Sequence, residues 1–341
     1  MRLLITGGAG FIGSNFVKYI LKKYPDYQLT VLDALTYAGN LDNFEEDILS
    51  EISFHHGNIC EKELVDNLMK DTDAVVHFAA ETHVDRSILE AGIFIQTDVY
   101  GTYVLLEAAK KYNVKRFVHV STDEVYGEAK SPAGENRPSL ETDSLMPKSP
   151  YAASKAGADR LVFSYYTAHN LPVVISRCSN NYGPNQYPEK MIPLFITNAL
   201  ENKPLPVYGS GKNTRDWIHV LDHCAALDIL LHSEGQDGEV FNIGGGQEFD
   251  ILQIGKTILE MLEKDTSLMQ FVTDRPGHVM RHAVDISKTK KTYGWTPKID
   301  FKEGIKQTVD WYVKNEPWWR KIKEKSTEYQ EFTKKWYEER K

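Results

Sequence analysis

Cysteine is scarce in this chain of 341 residues, which contains only Cys60, Cys178 and Cys224. An odd number of scattered cysteines gives no disulfide framework and favours a reducing compartment. No apolar run approaches the ~18 residues that a membrane-spanning helix requires. The N-terminal stretch MRLLITGG leads directly into a predicted strand and leaves no room for a signal peptide. We therefore expect a soluble, cytoplasmic protein without a membrane partner.

Positive charge is outweighed by negative charge, because 40 Lys and Arg residues stand against 48 Asp and Glu residues and give a net charge of −8. This balance argues against nucleic acid as a partner, so an anionic ligand would need a local cluster of Arg and Lys. Metal-ligand spacing is also lacking, because His55, His56 and Cys60 match no closed zinc pattern and have no second cluster nearby. The sequence therefore predicts no metal site.

Short apolar runs alternate with segments of helical spacing through the first half of the chain. The predicted strands, in chain order, are LLIT, QLTVLDA, ISFHHGNI, DAVVHFAA, KRFVHVST and PVVISRC. The predicted helices are FIGSNFVKYILKKY, ELVDNLMK and a long helix within 88–112. Such alternation builds a parallel sheet that is covered by helices on both faces. The predicted fold class is therefore α/β, a Rossmann-like doubly wound sheet, to which VFNIGGG at 240–246 adds a candidate strand.

The second half of the chain is less regular and indicates a smaller lobe. Residues 127–150 are rich in Pro, Ser and Glu and predict a long loop, a feature that often carries function. We predict a first domain over 1–180, with returns near 218–244, and a mixed α/β C-terminal substrate lobe over 181–341. The tail at 311–341 predicts an amphipathic helix that packs its Trp and Tyr residues on the body, with a partner-binding helix as the alternative.

A glycine-rich turn, GGAGFIG, joins the first strand to the first helix and contains Gly7, Gly10 and Gly13. Glycines let the backbone approach a pyrophosphate, while the helix N-terminus supplies N–H groups and a positive dipole. Asp33 ends the second strand, twenty residues beyond Gly13. A carboxylate at this place accepts hydrogen bonds from a ribose and repels a 2′-phosphate. The strand–turn–helix context therefore predicts a dinucleotide site that takes NAD rather than NADP.

The motif YAASK places Tyr151 and Lys155 four residues apart on a helix that follows the fifth strand. Both side chains then lie on one helix face. Ammonium and nicotinamide charges near the phenol would favour the phenolate and lower a pKa that is ordinarily ~10. Tyr151 could then remove a proton from a sugar hydroxyl while hydride passes to NAD. We therefore predict a catalytic pair at Tyr151 and Lys155.

Two adjacent acids, Asp123 and Glu124, follow the fifth strand in the stretch STDEVYG. Burying adjacent carboxylates is costly unless something uses them, although an ordinary acidic loop is the alternative. Two neighbouring carboxyls repel when both are ionised, so one is pushed toward the neutral form. Successive side chains of a regular strand point to opposite faces, so both acids reach one ligand only if the strand breaks near Thr122. We predict such a break.

The motifs GGAGFIG and YAASK, Asp33 and the C-terminal lobe together resemble the extended short-chain dehydrogenase/reductase family over nearly the whole chain. Members that only epimerise or oxidise a sugar usually lack paired acids after this strand, whereas STDEVYG resembles the dTDP-glucose 4,6-dehydratase branch. Further stretches resemble the same branch: LTYAGN, AAETHVDRSI, CSNNYGP, PEKMIP, YGSGKNTRDW, NIGG and DRPGH. The resemblance implies a lyase that converts dTDP-glucose to dTDP-4-keto-6-deoxyglucose with a recycled NAD and supplies deoxysugar biosynthesis of the rhamnose type.

The same resemblance implies a role for each catalytic residue. Oxidation of the C4 hydroxyl by NAD, with Tyr151 taking its proton, makes the hydrogen on C5 acidic. Glu124 is then the base at C5, and Asp123 is the acid that protonates the departing C6 hydroxyl. Thr122 hydrogen-bonds the C4 oxygen and supports Tyr151. NADH finally returns hydride to C6, and a proton is delivered to C5.

Binding residues outside these motifs are also implied by the resemblance. Further cofactor contacts are implied at Phe11, Ile12, Leu35, Thr36, Asn58, Ile59, Ala79, Ala80 and Thr97. Nucleotide-sugar contacts are implied at His83, Thr122, Asn180, Lys190, Met191, Arg215, Asn242, Arg275 and His278. Arg suits a diphosphate because its fork pairs phosphate oxygens bidentately. The chain departs from the usual pattern at Ala34, Asn58 and Asp98, where many members carry Lys, Asp and Asn respectively.

Several readings stay open at this point. Within the family, the chain could be a nucleotide-sugar 4-epimerase or a 4,6-dehydratase for another nucleotide, since no residue chemistry separates thymine from uracil. A different class would be a catalytically silent member that binds NAD as a sensor. The intact Tyr–Lys pair argues against silence, and the paired acids argue against epimerisation. The family resemblance also implies a homodimer, formed through helices within 88–112 and 151–169.

Overall fold

The structure, a computed structural model, describes residues 1–131 and 133–338. Its centre is a seven-stranded sheet with helices on both faces, and a smaller lobe of short strands and helices stands beside it. No helix within these ranges is both long and apolar enough to cross a membrane. Pro132, in the predicted 127–150 loop, and 339–341, in the predicted tail, lie outside the described residues.

Thirteen strands occur in the described ranges. They are β1 (Arg2–Thr6), β2 (Gln28–Asp33), β3 (Ile52–His56), β4 (Ala74–His77), β5 (Arg116–Thr122), β6 (Val173–Cys178), β7 (Asn180–Tyr182), β8 (Leu205–Tyr208), β9 (Thr214–His219), β10 (Val240–Ile243), β11 (Glu248–Asp250), β12 (Met269–Val272) and β13 (Arg281–His282).

Fourteen α-helices occur in the same ranges. They are α1 (Phe11–Lys23), α2 (Glu46–Glu51), α3 (Lys62–Met69), α4 (Val84–Leu89), α5 (Gly92–Phe94), α6 (Thr102–Lys111), α7 (Pro150–His169), α8 (Met191–Leu200), α9 (Val220–His232), α10 (Ile251–Met261), α11 (Ser287–Tyr293), α12 (Phe301–Lys314), α13 (Glu316–Lys325) and α14 (Thr327–Thr333). Short 3₁₀ turns lie at Leu41–Asn43, Asp123–Tyr126 and Thr266–Leu268, and π-helical turns lie at Ile95–Gly101 and Lys334–Glu338.

The large sheet is parallel throughout and has the strand order β3-β2-β1-β4-β5-β6-β10. Its strands are apolar runs because both faces are covered. One face packs against α1 and α9, and the other packs against α3, α6 and α7. The six strands predicted in the first half and the seventh predicted at 240–246 are confirmed. The strand order reverses between β1 and β4, which opens a crevice at the carboxyl ends of the strands.

The smaller lobe has its own core beside that crevice. β9 pairs with β7, β11 and β13, while β8 pairs with β12. Helices α8, α10 and α12 pack on these strands through Phe195, Ile258 and Tyr312, which are at most 1% exposed. The large sheet and the smaller lobe thus have separate cores, and the sequence pattern changes after β6, where the smaller lobe begins.

The predicted long helix within 88–112 is confirmed as a continuous helical run over residues 92–111. α4 ends at Leu89, and a second helical run begins at Gly92 and passes through the π-helical turn Ile95–Gly101 into α6. Gly101 is the last residue of the π-helical turn, and a Cβ at this position would lie 2.5 Å from the Ile59 side chain. The wider turn therefore coincides with a close contact that leaves room for no side chain at this position.

The tail was predicted as one amphipathic helix, and the structure corrects this. It forms α12, α13, α14 and a final π-helical turn, with breaks at Asn315 and Ser326. The expected packing of aromatic side chains on the body is confirmed for Trp319, Tyr329 and Trp336, which are at most 5% exposed. Between residues 127 and 149, the described part contains no helix or strand, as predicted for a long loop.

A buried ion pair joins α7 to β6 beneath the crevice. The Arg177 guanidinium donates two hydrogen bonds to the Asp159 carboxylate, at 2.8 and 2.9 Å, and a third to the Tyr126 hydroxyl at 2.9 Å. Arg177 and Asp159 are at most 1% exposed. The fork geometry satisfies the guanidinium in a place that water does not reach.

We expect Asp159→Ala to destabilise the fold by ~3–5 kcal/mol, because it leaves the Arg177 charge buried without its partner. Denaturant titration of the free energy of unfolding measures the change. Asp310→Ala is the control, since it breaks the exposed Lys306–Asp310 pair and should change that free energy by less than ~0.5 kcal/mol. Equal small losses in both variants would contradict the expectation.

Candidate active site

The glycine-rich turn between β1 and α1 is closely packed against the next strand of the sheet. Gly7 adopts φ +70°, and a Cβ there would lie 2.5 Å from the Ala79 nitrogen. A Cβ on Gly13 would lie 2.2 Å from the Gly7 carbonyl oxygen. Only glycine fits both places, so the turn lies flat and the N-terminus of α1 faces the crevice.

Asp33 closes the adjoining edge of this turn. One carboxylate oxygen accepts from the Ala9 N–H at 2.9 Å, and the other accepts from the Leu35 N–H at 2.8 Å. Burial raises the pKa of Asp33, while these two N–H groups act against that rise. Each oxygen keeps a free lone pair, and the carboxyl also faces the crevice. The turn and this acid therefore fit a dinucleotide whose ribose hydroxyls approach Asp33.

A cavity of about 620 Å³ extends from the glycine turn into the smaller lobe. Most predicted cofactor residues line it: Gly7, Gly10, Phe11, Ile12, Gly13, Asp33, Thr36, Asn58, Ile59, Ala79, Ala80, Thr97, Tyr151 and Lys155. Leu35 is a correction, because it does not line the cavity. Its side chain packs toward the core under α1, and its contribution is the backbone N–H that holds Asp33.

Helix α7 presents the Tyr–Lys pair at the centre of this cavity. Ser149 caps the helix by accepting from the Ala152 N–H, and Pro150 occupies the first turn, so the helix begins just before Tyr151. Lys155 is 4% exposed and donates to the Val120 carbonyl oxygen at 2.8 Å. The pair is therefore anchored on the neighbouring strand β5.

The surroundings of Tyr151 within the protein act on its pKa in both directions. Burial, followed by the nearby Glu124 carboxyl, raises the pKa of this phenol well above its ordinary value, while its hydrogen bond with Thr122 acts the other way. The Lys155 ammonium is hydrogen-bonded to the Val120 carbonyl oxygen. The protein alone therefore keeps the phenol protonated, and a phenolate requires further positive charge in the cavity.

The predicted break after the fifth strand is confirmed. β5 ends at Thr122, and Asp123–Tyr126 form a 3₁₀ turn that the Thr122 hydroxyl caps by accepting from the Glu124 N–H at 3.3 Å. The turn removes the strict alternation of side chains, and both Asp123 and Glu124 line the cavity. The two acids and Tyr151 consequently face the same space.

The surroundings of the two acids separate their proton affinities. Burial and then the Glu124 charge raise the pKa of Asp123 well above its ordinary value. Its Oδ2 atom is buried without a hydrogen-bond partner, and Oδ1 is 3.3 Å from the Thr122 hydroxyl. Burial also raises the pKa of Glu124, but Arg275, Arg215 and then Lys190 lower it. Asp123 therefore favours the neutral acid, and Glu124 is the better placed carboxylate.

Four cationic or potentially cationic side chains face these acids from the smaller lobe. Arg215 is held by the Val279 carbonyl oxygen at 2.9 Å, and Arg275 is paired with Asp85 at 3.0 Å. Burial and then Arg275 lower the pKa of Arg215 to about 10, so two guanidiniums repel each other here. Burial lowers the pKa of Lys190 to about 8 and that of His278 to about 4. Such a cluster suits a diphosphate.

The remaining predicted substrate residues divide into two groups. His83, Thr122, Asn180 and Met191 line the cavity, and the Asn180 Oδ1 atom is buried without a partner. Asn242 is a correction, because it lies in strand β10 away from the cavity. Its side chain accepts from the Tyr126 hydroxyl at 2.8 Å and donates to the Ser139 carbonyl oxygen at 2.9 Å, so it has no free polar group for a ligand.

The end of the chain contributes residues that sequence reasoning missed. Tyr337 lines the cavity and stacks on Tyr208, with ring centroids 6.3 Å apart. Trp336 donates to the Tyr208 hydroxyl at 2.6 Å, and Tyr208 donates to Asp85 at 2.9 Å. The aromatic density of the tail indicated packing on the body, but no local pattern indicated contact with a site built more than 100 residues earlier.

Arg86 holds this tail against the first domain. Its guanidinium lies between the rings of Tyr37 and Phe332, at 3.9 and 4.5 Å from their centroids, and pairs with Glu189 at 2.8 Å. The ring of Phe332 also meets the ring of His83 at 5.1 Å. Cation–π contacts on both faces and a buried ion pair make Arg86 the link between the two parts.

Comparison with known proteins gives concordant results. The model of the family described as GDP-mannose 4,6 dehydratase matches residues 4–308. The chain is 48% identical over 326 residues to a dTDP-glucose 4,6-dehydratase of Actinoplanes sp., a match that covers 94% of this chain and 100% of the relative. Among solved structures, DesIV (dTDP-glucose 4,6-dehydratase) from Streptomyces venezuelae with NAD and TYD bound gives a TM-score of 0.90 at 46% identity, covering 94% of this chain and 100% of that chain.

A more distant solved structure shares the fold. A UDP-glucose 4-epimerase from Thermotoga maritima with UDP-glucose gives a TM-score of 0.85 at 30% identity, covering 92% of this chain and 99% of that chain. The parallel sheet, the glycine turn and the Tyr–Lys pair define the class as an extended short-chain dehydrogenase/reductase. Within that class, the chain belongs to the family of nucleotide-sugar 4,6-dehydratases.

We expect Phe332→Ala to loosen the tail, because truncating a buried Phe costs ~3–5 kcal/mol. Amide hydrogen exchange in residues 327–338 should accelerate at least about a hundredfold, while exchange in α1 stays unchanged. Glu331→Ala is the matched control, since this neighbour is exposed. Equal protection of the tail in both variants would show that the Phe332 contacts do not hold it.

Proposed function

We propose that this protein dehydrates dTDP-glucose to dTDP-4-keto-6-deoxyglucose, with NAD as a recycled cofactor. The observation that carries the proposal is the strand break after Thr122, which aims two acids of unequal proton affinity at the cavity beside Tyr151. A 4,6-dehydration needs an acid and a base in addition to Tyr151, whereas a 4-epimerisation needs only the group that carries the C4 hydroxyl proton. The relatives named dTDP-glucose 4,6-dehydratase support this reading.

The cofactor is assigned to the glycine turn, Asp33 and the residues that line the same half of the cavity. Bound NAD would accept the hydride from sugar C4 and later return it to C6. Its positive nicotinamide would also oppose the burial and the Glu124 charge that raise the pKa of Tyr151. Asp33 accounts for a preference for NAD, because a 2′-phosphate would meet its carboxylate.

Each proton of the reaction has a residue to hold it. Tyr151 accepts the proton of the C4 hydroxyl, with Thr122 hydrogen-bonded to it. Glu124 takes the C5 proton and can give it back to C5, so this carboxylate returns to its starting protonation state within one turnover. Asp123 gives a proton to the departing C6 hydroxyl. At the end of the cycle, Tyr151 has gained one proton and Asp123 has lost one, and the Thr122 hydroxyl lies between them to pass it on.

The smaller lobe is proposed to bind the nucleotide sugar. Arg215, Arg275 and Lys190 would hold the diphosphate, and Tyr208 with Tyr337 would wall the adjoining part of the cavity. We accordingly propose a division into an NAD-binding domain over 1–180, with returns near 218–244, and a nucleotide-sugar lobe mainly over 181–341. A cytoplasmic location is proposed on the substrate class, and the three cysteines, none of which forms a disulfide, agree with it.

A homodimer is proposed through the first domain. Leu89, Ile93 and Ile95 are 41–52% exposed and lie close together along the segment that leads into α6. Exposed apolar side chains that are clustered in one segment are typical of an interface between subunits. The face adjoins the cavity, since Ile93 also lines it, so association would cover one wall of the site.

We expect Ile95→Glu to shift the protein from dimer to monomer in sedimentation velocity, because a charge would be buried at the centre of the contact. Leu221→Glu is the control on a different helix, since Leu221 is also exposed. It should leave the sedimentation coefficient unchanged. A dimeric Ile95→Glu variant would place the interface elsewhere.

We expect Glu124→Gln to oxidise C4 and accumulate bound NADH, yet to lower dehydration by about 10²–10⁴-fold, because the base at C5 is lost. The assay follows NADH absorbance and the 4-keto-6-deoxy product with dTDP-, UDP-, CDP- and GDP-hexoses. Glu63→Gln, at an exposed position of α3, is the control and should behave as the parent. Conversion of UDP-glucose to UDP-galactose alone would overturn the proposed function, and normal dehydration by Glu124→Gln would remove that residue from its role.

A further inference from the structure

A buried carboxylate lies behind the Tyr–Lys pair, and none of the steps above uses it. Asp98 is 1% exposed and sits in the π-helical turn Ile95–Gly101 that leads into α6. Thr102 stabilises this turn by donating to the Asp98 carbonyl oxygen at 2.5 Å. A buried acid is costly unless its oxygens are satisfied or its charge has a function.

Both oxygens of Asp98 are committed, and their partners come from the two walls of the cavity. Oδ1 accepts from the Glu81 N–H at 2.8 Å, and Glu81 directly follows the cavity-lining residues Ala79 and Ala80. Oδ2 accepts from the Ser154 hydroxyl at 2.5 Å, and Ser154 directly precedes Lys155 on α7. One side chain therefore connects the wall assigned to the cofactor with the helix that carries the catalytic pair.

The charge of Asp98 also acts on that pair. It favours the ammonium of Lys155, which otherwise donates to the Val120 carbonyl. It raises the proton affinity of Tyr151. Two other carboxylates act on the pair as well: Asp159 favours the ammonium of Lys155, and Glu124, second to burial, raises the pKa of Tyr151.

The other titratable groups around this point act in known directions. Cys178 favours the protonated forms of both Lys155 and Tyr151. His77 and His119 lie near Lys155. Burial lowers the pKa of both imidazoles, so both are neutral. Glu81 faces Asp98 as a second acid, and burial followed by Asp98 raises its pKa to about 7.

We propose that Asp98 is a positioning residue that acts through Ser154 and Lys155. It fixes α7 against the cofactor wall, and its negative charge sets the pH range in which Lys155 is an ammonium and Tyr151 can give up its proton. The inference rests on the proposed function, because it assigns Asp98 to the oxidation step at C4.

The sign of the effect follows from the charge. Burial raises the pKa of Asp98 to about 6, so the carboxylate is ionised above that pH and neutral below it. A nearby negative charge favours the protonated forms of Lys155 and Tyr151. Removing the charge therefore lowers the pKa of both groups, and the change appears only above about pH 6.

The test is Asp98→Asn, which keeps an acceptor for the Glu81 N–H and removes the charge. Formation of NADH in a single turnover rises as Tyr151 deprotonates and falls as Lys155 deprotonates. Both limbs of this pH profile should move to lower pH by about one unit, the order expected for one buried charge. Ser154→Ala is the matched control, because it removes a hydrogen bond and keeps the charge. It should lower the rate without moving either limb.

A second readout does not depend on turnover. Tyrosine ionisation of the NAD-bound protein is followed by ultraviolet difference absorbance, and subtraction of the matching Tyr151→Phe protein isolates Tyr151. Asp98→Asn should lower the midpoint of this transition. Asp98→Ser, which is smaller and also uncharged, should shift it in the same direction and serves if the Asn variant does not fold.

The outcomes separate the two proposals. Profiles and midpoints of the uncharged Asp98 variants that superimpose on the parent overturn the role of Asp98. Shifts of equal size in Ser154→Ala overturn it as well, because they trace the effect to geometry rather than charge. If the parent protein does not dehydrate dTDP-glucose, the proposed function fails, while the Tyr151 titration still decides whether Asp98 sets its proton affinity.

Discussion

The site depends on the burial of two adjacent carboxyls at the end of a parallel strand. Asp123 and Glu124 cost free energy wherever they are removed from water, and a regular strand would also send them to opposite faces. The turn after Thr122 overcomes the alternation of the strand, because it brings both side chains into one cavity. Cationic side chains from the smaller lobe reduce the free-energy cost of burying the two carboxyls. The smaller lobe therefore supplies the cationic partners of these acids.

The cavity wall is assembled from distant parts of the chain, and each is tied to the next by a buried polar contact. Arg177 fixes α7 on β6, Arg86 fixes the tail on the first domain, and Asp98 fixes α7 on the wall after β4. In each of these contacts the charged groups have partners, which is the condition for keeping charge inside a protein.

The sequence indicated most of what short-range chemistry determines. The strands, the glycine turn, the Tyr–Lys pair and the break after Thr122 each follow from a local pattern with one physical solution. Asn242 and Leu35 were misplaced because an Asn beside glycines, or an apolar residue after an acid, has the same local pattern whether it faces a ligand or the core. Tyr337 was missed because its partner Tyr208 lies 129 positions away, and no periodicity encodes that contact. The hydrogen bond from the Lys155 ammonium to the Val120 carbonyl had no local pattern either, because it joins residues 35 positions apart.

The assignment of acid and base depends on where the cations are rather than on which residue is Asp and which is Glu. Beyond the burial that raises both pKa values, Arg275, Arg215 and Lys190 lower the pKa of Glu124, whereas Glu124 and Asp216 raise the pKa of Asp123 and Arg215 lowers it. A bound diphosphate would neutralise the same cations that hold the pKa of Glu124 down. Its proton affinity would then rise as the substrate binds, so Glu124 becomes a stronger base only when a C5 hydrogen is present to be removed. The anion that anchors the sugar nucleotide would thereby also prepare the elimination step.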